Sequence, residues 1–357
     1  MHTFHKYCSS PVAISGVAEL RDKLSIMRAL SLLLIFMAVV SLSGFAQSTP
    51  DGDIRLALPT HRGELQWSAK GFKIVETSAK PNRNEIGVRA KNDSGRLALL
   101  GFLFLVPEQA PLTSAKCRDG ALGPERQSIA GLKTFNIEDA AQTRTPPVSA
   151  VSYTMKDRSG KSWHYVRAFV AIDDMCGDLQ VYSDQPISAD DTALQTMLSS
   201  YRLDQDHVPT FHDVFVYGQI LYDAHIYKSA APLFELALQK LRQTPGSNAN
   251  TTMRRVVTDQ AGMAYGMSGD IPKARAIFEG AIAEDPDYPM YYYNLACADA
   301  EERNLAGARK HLQEAFARKG NVISSERMPD PTKDDSFLPY RGNKEFWTFL
   351  KSLQGKD

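Results

Sequence analysis

A segment that repeats itself constrains this chain more than any other feature. Ala274, Phe278 and Ala281 recur 34 residues later as Ala308, Leu312 and Ala315. Ala261-Gly262-Met263-Ala264-Tyr265 aligns at the same offset with Leu295-Ala296-Cys297-Ala298-Asp299. Spacings of four and three are helical, so each unit predicts two helices. Antiparallel helices approach closely only where side chains are small. Gly262 and Ala296 on the first helix of each pair, and Ala274, Ala281, Ala308 and Ala315 on the second, supply those contacts, with Phe278 and Leu312 filling the spaces between pairs. Gly269-Asp270 predicts the turn inside one unit: the glycine takes a left-handed conformation and Asp270 caps the next helix. Arg303-Asn304 holds the same place in the next unit.

A third unit lies upstream. Ala230, Phe234 and Ala237 have the same spacing, and Gly218 precedes Ala230 by the interval that separates Gly262 from Ala274. Extra residues fall between Leu241 and Thr252, where Gln243-Thr244-Pro245-Gly246-Ser247-Asn248 reads as a loop. Pro232 stands inside the second helix of this unit and predicts a bend there.

These residues resemble the tetratricopeptide repeat family. Its large-small pair, following aromatic, second-helix pattern and Asp-Pro ending are matched by Ala261-Gly262, Tyr265, Ala274, Phe278, Ala281 and Asp285-Pro286. The run Ala231 to Glu235 resembles the kinesin-light-chain-like variety, which tolerates Pro232. The resemblance covers residues 211–322: repeat 1 at 211–254 with its extended loop, repeat 2 at 255–288 and repeat 3 at 289–322. Such arrays need a terminal cover. Residues 335–353, with Phe346, Trp347, Phe349 and Leu350, are expected to form this C-terminal cap.

The resemblance implies a protein-binding scaffold whose first helices line a concave groove. Alignment on Gly218, Gly262 and Ala296 carries the groove positions onto Phe215, Gln219 and Tyr222, then Asp259, Met263 and Met267, then Met290, Tyr293 and Glu301. His212, Asp223, Val256, Gly266, Cys297 and Ala300 complete them. None is basic, so the carboxylate clamp of the family's chaperone-binding members is not expected. Aromatic anchors beside adaptable methionines suit an apolar or aromatic peptide segment of another envelope protein, bound with little salt dependence. Filling of the groove by the chain itself is the competing expectation.

Residues Leu30 to Val40 form an apolar run preceded by Arg21, Lys23 and Arg28, the length of a signal-peptide core and short for a membrane span. Gly44-Phe45-Ala46 predicts cleavage after Ala46, and Met27 reads as the natural start, so residues 1–46 form the signal region. The expected location is exported, periplasmic or secreted, with no stable membrane span after processing. The whole chain carries 41 basic and 41 acidic residues, a balance that gives no pull toward nucleic acid.

Residues 49–205 predict an α+β antiparallel-sheet domain, so the chain as a whole is multidomain, ending in an all-α tetratricopeptide-repeat solenoid. Strands are expected at Phe72 to Glu76, Ile86 to Ala90, Val148 to Met155, Trp163 to Ile172 and Leu179 to Ser183. Leu97 to Val106 reads as a buried strand or a short helix. Asp157-Arg158-Ser159-Gly160 is a hairpin signal. Ala193, Leu194, Met197, Leu198 and Tyr201 then fall at helical spacing. This ending resembles the small PsbP-like exported domains. Residues 206–210 are the expected linker.

Cys117 and Cys176 share one domain and, after export, an oxidising compartment, which predicts a disulfide. Cys297 reads as a buried thiol. The eight histidines do not gather. His207 and His212 with Asp206 and Asp213 come nearest to a metal cluster, but their spacing fits no common zinc motif, and they read as a solvated linker. No phosphate loop, serine elbow or cofactor motif occurs, so no cofactor, no metal and no enzyme activity are expected. Two alternatives stand beside the scaffold. One is a small-ligand-binding or structural envelope protein using the N-terminal sheet; the other is a hydrolase built on Cys176 and His164.

Overall fold

The computed structural model describes residues 52–137, 145–243, 251–324 and 326–354. The expected signal region, its cleavage point and most of the repeat-1 loop lie outside them. Chain contacts divide the described residues into two compact units, 52–221 and 222–354. The division falls inside a helix, Phe211–Asp223, and not in the expected 206–210 linker. The fold is an α+β antiparallel-sheet unit followed by an all-α repeat unit.

The first unit contains two sheets. Strands β1 (Asp53–Ala57), β2 (Glu64–Ser68) and β10 (Arg202–Asp204) form a small sheet in the order β1-β2-β10. Strands β3 (Phe72–Lys80), β4 (Glu85–Asn92), β5 (Ala98–Leu105), β6 (Ile129–Thr134), β7 (Ser149–Lys156), β8 (Ser162–Ile172) and β9 (Met175–Ser183) form a larger one. Its order is β3-β4-β5-β9-β8-β7-β6, and each neighbouring pair is antiparallel. The segment from Leu97 is thus a strand. β9 begins four residues before the expected Leu179, because Met175 to Asp178 continue the ladder with β5 and β8.

Two glycines let the layers meet. A Cβ on Gly101 of β5 would stand 2.4 Å from the ring of Trp67, and one on Gly177 of β9 would stand 2.6 Å from Leu65. Trp67 and Leu65 of β2 therefore rest directly on the backbone of the large sheet, and both are buried. Gly177 is a strand residue held by this packing.

Helix α1 (Ser114–Leu122) and helix α2 (Thr192–Ser200) complete the unit. Leu112, Cys117, Ala121 and Leu122 pack on Val151, Tyr153, Phe169 and Ala171 of the sheet. Cys117 and Cys176, 59 positions apart in sequence, are joined by a disulfide with Cα atoms 6.0 Å apart. Closing such a loop contributes about 4 kcal/mol in the chain-entropy account. The same bond removes Cys176 as a nucleophile. His164 lies opposite Ser183, while Cys176 lies opposite Ala171 at the other end of β8, so the hydrolase pair does not assemble.

A buried ion pair sits in the same sheet. Arg167, 1% exposed on its side chain, makes a bidentate contact with Asp178 at 2.9 and 2.6 Å. Glu125 lies 3.3 Å away and the Phe169 ring 5.1 Å from the guanidinium. Two ionised partners and a ring face offset the cost of taking the guanidinium out of water.

The helices continue as α3 (Phe211–Asp223), α4 (Tyr227–Gln243), α5 (Thr251–Met267), α6 (Ile271–Glu284), α7 (Pro289–Glu301), α8 (Leu305–Ala317) and α9 (Lys344–Gln354). α5 starts at Thr251, inside the 211–254 bounds expected for repeat 1, and α4 runs through Pro232 unbroken. The repeat is visible in the backbone. His225, Gly269 and Arg303 take positive φ of 61, 88 and 61° at equivalent turns. Asp270 accepts from the Lys273 N–H, and Asn304 from the Gly307 N–H, closing the next helix each time.

The expected packing residues are inside. Ala230, Phe234, Ala237, Gly262, Ala274, Phe278, Ala296, Ala308, Leu312 and Ala315 are buried, while Tyr265 and Ala281 are half-buried. Gly218 is also buried, but belongs to the first unit. A Cβ on Gly262 would stand 2.3 Å from the tip of the Phe278 ring. Gly262→Leu should therefore displace that ring and cost about 1–3 kcal/mol. Urea denaturation followed by helical circular dichroism checks this, and unchanged stability would contradict the seam.

Candidate functional site

The first-helix face of the second unit is the surface to which the sequence assigns binding. In the structure it already holds a peptide: the irregular strap that follows α8, residues 321–324 and 326–343. Asn321 starts it, its carbonyl accepting from Arg255 at 3.4 Å and its side-chain amide donating to the Asp287 carbonyl at 3.2 Å. Ile323 and Met328 then pack against Tyr288, Met290, Tyr291 and Leu295. Phe337 is fully buried, with its ring edge-on to Tyr293 at 6.1 Å and 6.2 Å from Phe346. The Tyr340 hydroxyl donates to the Ala300 carbonyl.

Polar contacts fix the register. Tyr288 donates to Glu326 at 2.7 Å, and Tyr293 donates to Asp334 at 2.9 Å. The Cys297 Sγ lies 3.9 Å from the same Asp334 carboxylate. Asp330 and Asp334 each fold the strap locally by accepting backbone N–H groups of Thr332 and Ser336. Beneath the strap, Asn294 of α7 donates to Asp259 of α5 at 2.5 Å.

Acidic groups therefore gather along this face. The Asp259 carboxyl is pushed up to about 8, chiefly by burial and also by the nearby Glu326 charge, with the Asn294 hydrogen bond opposing both. Burial also raises Glu326, Asp334 and Glu301. Arg255, at the rim, pulls Glu326 the other way but spends its fork on Asp285, at 2.7 and 3.0 Å.

The predicted groove residues do not share one open surface. Met290 and Tyr293 are 4% and 2% exposed and lie under the strap; Asp259 and Met263 are half-buried beside them. Glu301 is exposed at the end of α7. Met267 instead lines a shallow surface hollow with His225, Ile226, Tyr227, Lys228 and Ser268. Tyr222 is buried, edge-on to Tyr227 and Phe234. Phe215 and Gln219 are buried and belong to the first unit, where Phe215 stacks on Phe211 at 5.8 Å. An open aromatic and methionine groove is thus not what the structure presents: the strap covers its second and third units.

The absence of basic residues on this face does not prevent it from holding carboxylates, because tyrosine hydroxyls do so. The cap is also larger than residues 335–353. Phe346, Phe349 and Leu350 of α9 are buried as expected, with Trp347 half-buried, but they share one core with Phe337 and Met328 of the strap. Sequence reasoning missed Tyr288, Asn294, Glu326, Met328 and Asp334. Phe337 and Tyr340, inside the expected cap, were the signal of the strap.

Against known proteins, no family model matches the chain, and no curated protein matches it in sequence. Among solved structures, it is similar to the Sgt2 TPR domain from Aspergillus fumigatus at 18% identity, covering 41% of this chain and 78% of that one, with a TM-score of 0.28. A structure from Bacteroides thetaiotaomicron is similar at 8% identity, covering 57% of this chain and 73% of that one, also with a TM-score of 0.28. The repeat character of the second unit rests on its own helix spacing, turns and small-residue seams.

Proposed function

We propose that the chain is an exported protein-binding scaffold, not an enzyme, whose first-helix face takes an extended peptide segment bearing apolar side chains and carboxylates. The strap holds that place until a partner segment displaces it. One observation carries this reading: the face already binds an irregular peptide, anchored by Ile323, Met328 and Phe337 and by tyrosine-to-carboxylate bonds to Glu326 and Asp334. Export is supported by the Arg-flanked apolar run before Ala46 and by the Cys117–Cys176 disulfide. A partner in the cell envelope follows from that location.

The strap competes in cis at an effective concentration of the order of mM, so a free peptide binds well only where the strap is loosened. A labelled peptide spanning residues 321–340 should bind full-length Asp334→Ala protein more tightly than the wild type, by about tenfold or more. Tyr288→Phe added to that variant should weaken the gain by removing the hydroxyl that holds the Glu326 carboxylate, about 0.5–1.5 kcal/mol for one hydrogen bond or more with a charged acceptor. Equal, weak binding to all three proteins would count against a peptide groove.

A further inference from the structure

The first unit contains a second polar cluster. Glu64 of β2, His207 of the β10–α3 connection and Asp213 of α3 each offer a ligand atom, and these atoms lie within 4.8 Å of one another. His207 Nε2 is 3.0 Å from Asp213 Oδ2. Glu64 and Asp213 are 5% and 8% exposed. In the sequence, His207 and Asp213 read as a solvated linker; what changes the reading is Glu64, brought in by the β2–β10 ladder.

Local structure presents all three. The Gly63 N–H donates to the His207 carbonyl at 2.9 Å, pinning the connection over the start of β2. Thr210 caps α3, and both its N–H and its hydroxyl donate to Asp213 Oδ2 at 2.7 Å. That capping arrangement explains Asp213 alone. It gives no reason for Glu64 to be buried beside it. Among the described residues the Glu64 carboxylate accepts no hydrogen bond, and the arginine beside it, Arg55, stands 3.8 Å away. Two buried carboxylates facing each other across one imidazole need more positive charge than these neighbours supply.

We propose that Glu64, His207 and Asp213 bind a divalent transition-metal ion of the zinc class, which ties β2, the connection and the first turn of α3 together. One imidazole nitrogen and two carboxylate oxygens are a zinc-type donor set, and three protein ligands leave a position for water or a further ligand. The imidazole argues against magnesium or calcium, which favour oxygen donors. Thr210, holding Asp213, and Gly63, holding the His207 backbone, are the outer contacts such a site requires.

The test uses untagged full-length protein treated with EDTA, dialysed, and titrated with Zn2+. Native mass spectrometry should show one ion per chain, and thermal melting should shift upward. Glu64→Gln and His207→Asn should each weaken binding about tenfold or more, as loss of a direct ligand exceeds loss of an outer contact. His212→Ala, whose side chain is exposed on α3, should leave it unchanged. Co2+ offers a readout on the wild type that needs no variant: its visible bands should intensify relative to the aqueous ion as an imidazole enters a low-symmetry site. No bound ion, cobalt bands unchanged from the aqueous ion, zinc uptake that survives Glu64→Gln with His207→Asn, or equal stabilisation by Mg2+ or Ca2+ would each overturn the proposal. None of these outcomes bears on the peptide groove.

Discussion

Phe337→Ala is expected to destabilise the second unit by about 3–5 kcal/mol, the range for emptying a fully buried aromatic site. The ring stands between Tyr293 of α7 and Phe346 of α9, so its loss opens the strap and the cap together. Repeat arrays unfold from uncovered ends, and the last helix pair, α7 and α8, should fray first. Chemical denaturation monitored by helical circular dichroism measures the cost. Hydrogen exchange should show lost protection in α7, α8 and α9, with the strands of the first unit unaffected. A loss below about 1 kcal/mol would mean that Phe337 is not a keystone of the cap.

The second large effect is a pH dependence. Asp259 has its carboxyl raised to about 8 in the folded chain, against an ordinary value of 3.8. A raised carboxyl favours the folded state while it stays protonated. Its contribution is therefore complete below about pH 4 and is lost as pH rises through about 8. Between those limits the stability of the second unit should fall as pH rises, by at most about 1.4 kcal/mol per pH unit from this group. The Glu326 carboxyl, also raised by burial, acts in the same direction. Asp259→Asn keeps the Oδ1 acceptor for Asn294 and removes the charge, so it should flatten the slope and stabilise the protein near pH 8. Denaturation curves from pH 5 to pH 8 on both proteins check this. Parallel slopes in the two would place the pH dependence elsewhere.

How much of this was legible in the sequence depended on range. The helix pairs were readable because Ala274, Phe278, Ala281 and their counterparts are a local pattern, enforced by close helix contact. Strands β1, β2, β6 and β10 were not expected and β5 read as a strand or a short helix, but β3, β4, β7, β8 and β9 announced themselves by alternation and by the Asp157–Gly160 turn. Helix α1 did not: of its buried residues Ser114, Cys117, Ala121 and Leu122 only the last is large and apolar, so its apolar stripe is faint. The strap has no period at all. Its anchors Ile323, Met328 and Phe337 are separated by polar turns, and only the tertiary fold gives them a common face. The cluster of Glu64, His207 and Asp213 spans most of the first unit in sequence, beyond any spacing rule.

The claim that the strap and a partner peptide compete for one face is tested most directly by locking the strap. Asp334→Cys places a second thiol beside Cys297, whose Sγ now lies 3.9 Å from the Asp334 carboxylate. Binding of the labelled 321–340 peptide is then measured by fluorescence anisotropy on the same protein, oxidised and after reduction, with wild type in the same reductant as reference. The reduced protein should bind, and the oxidised protein, with the bond verified by peptide mass, should not. Peptide binding that is undiminished in the locked protein would contradict the account.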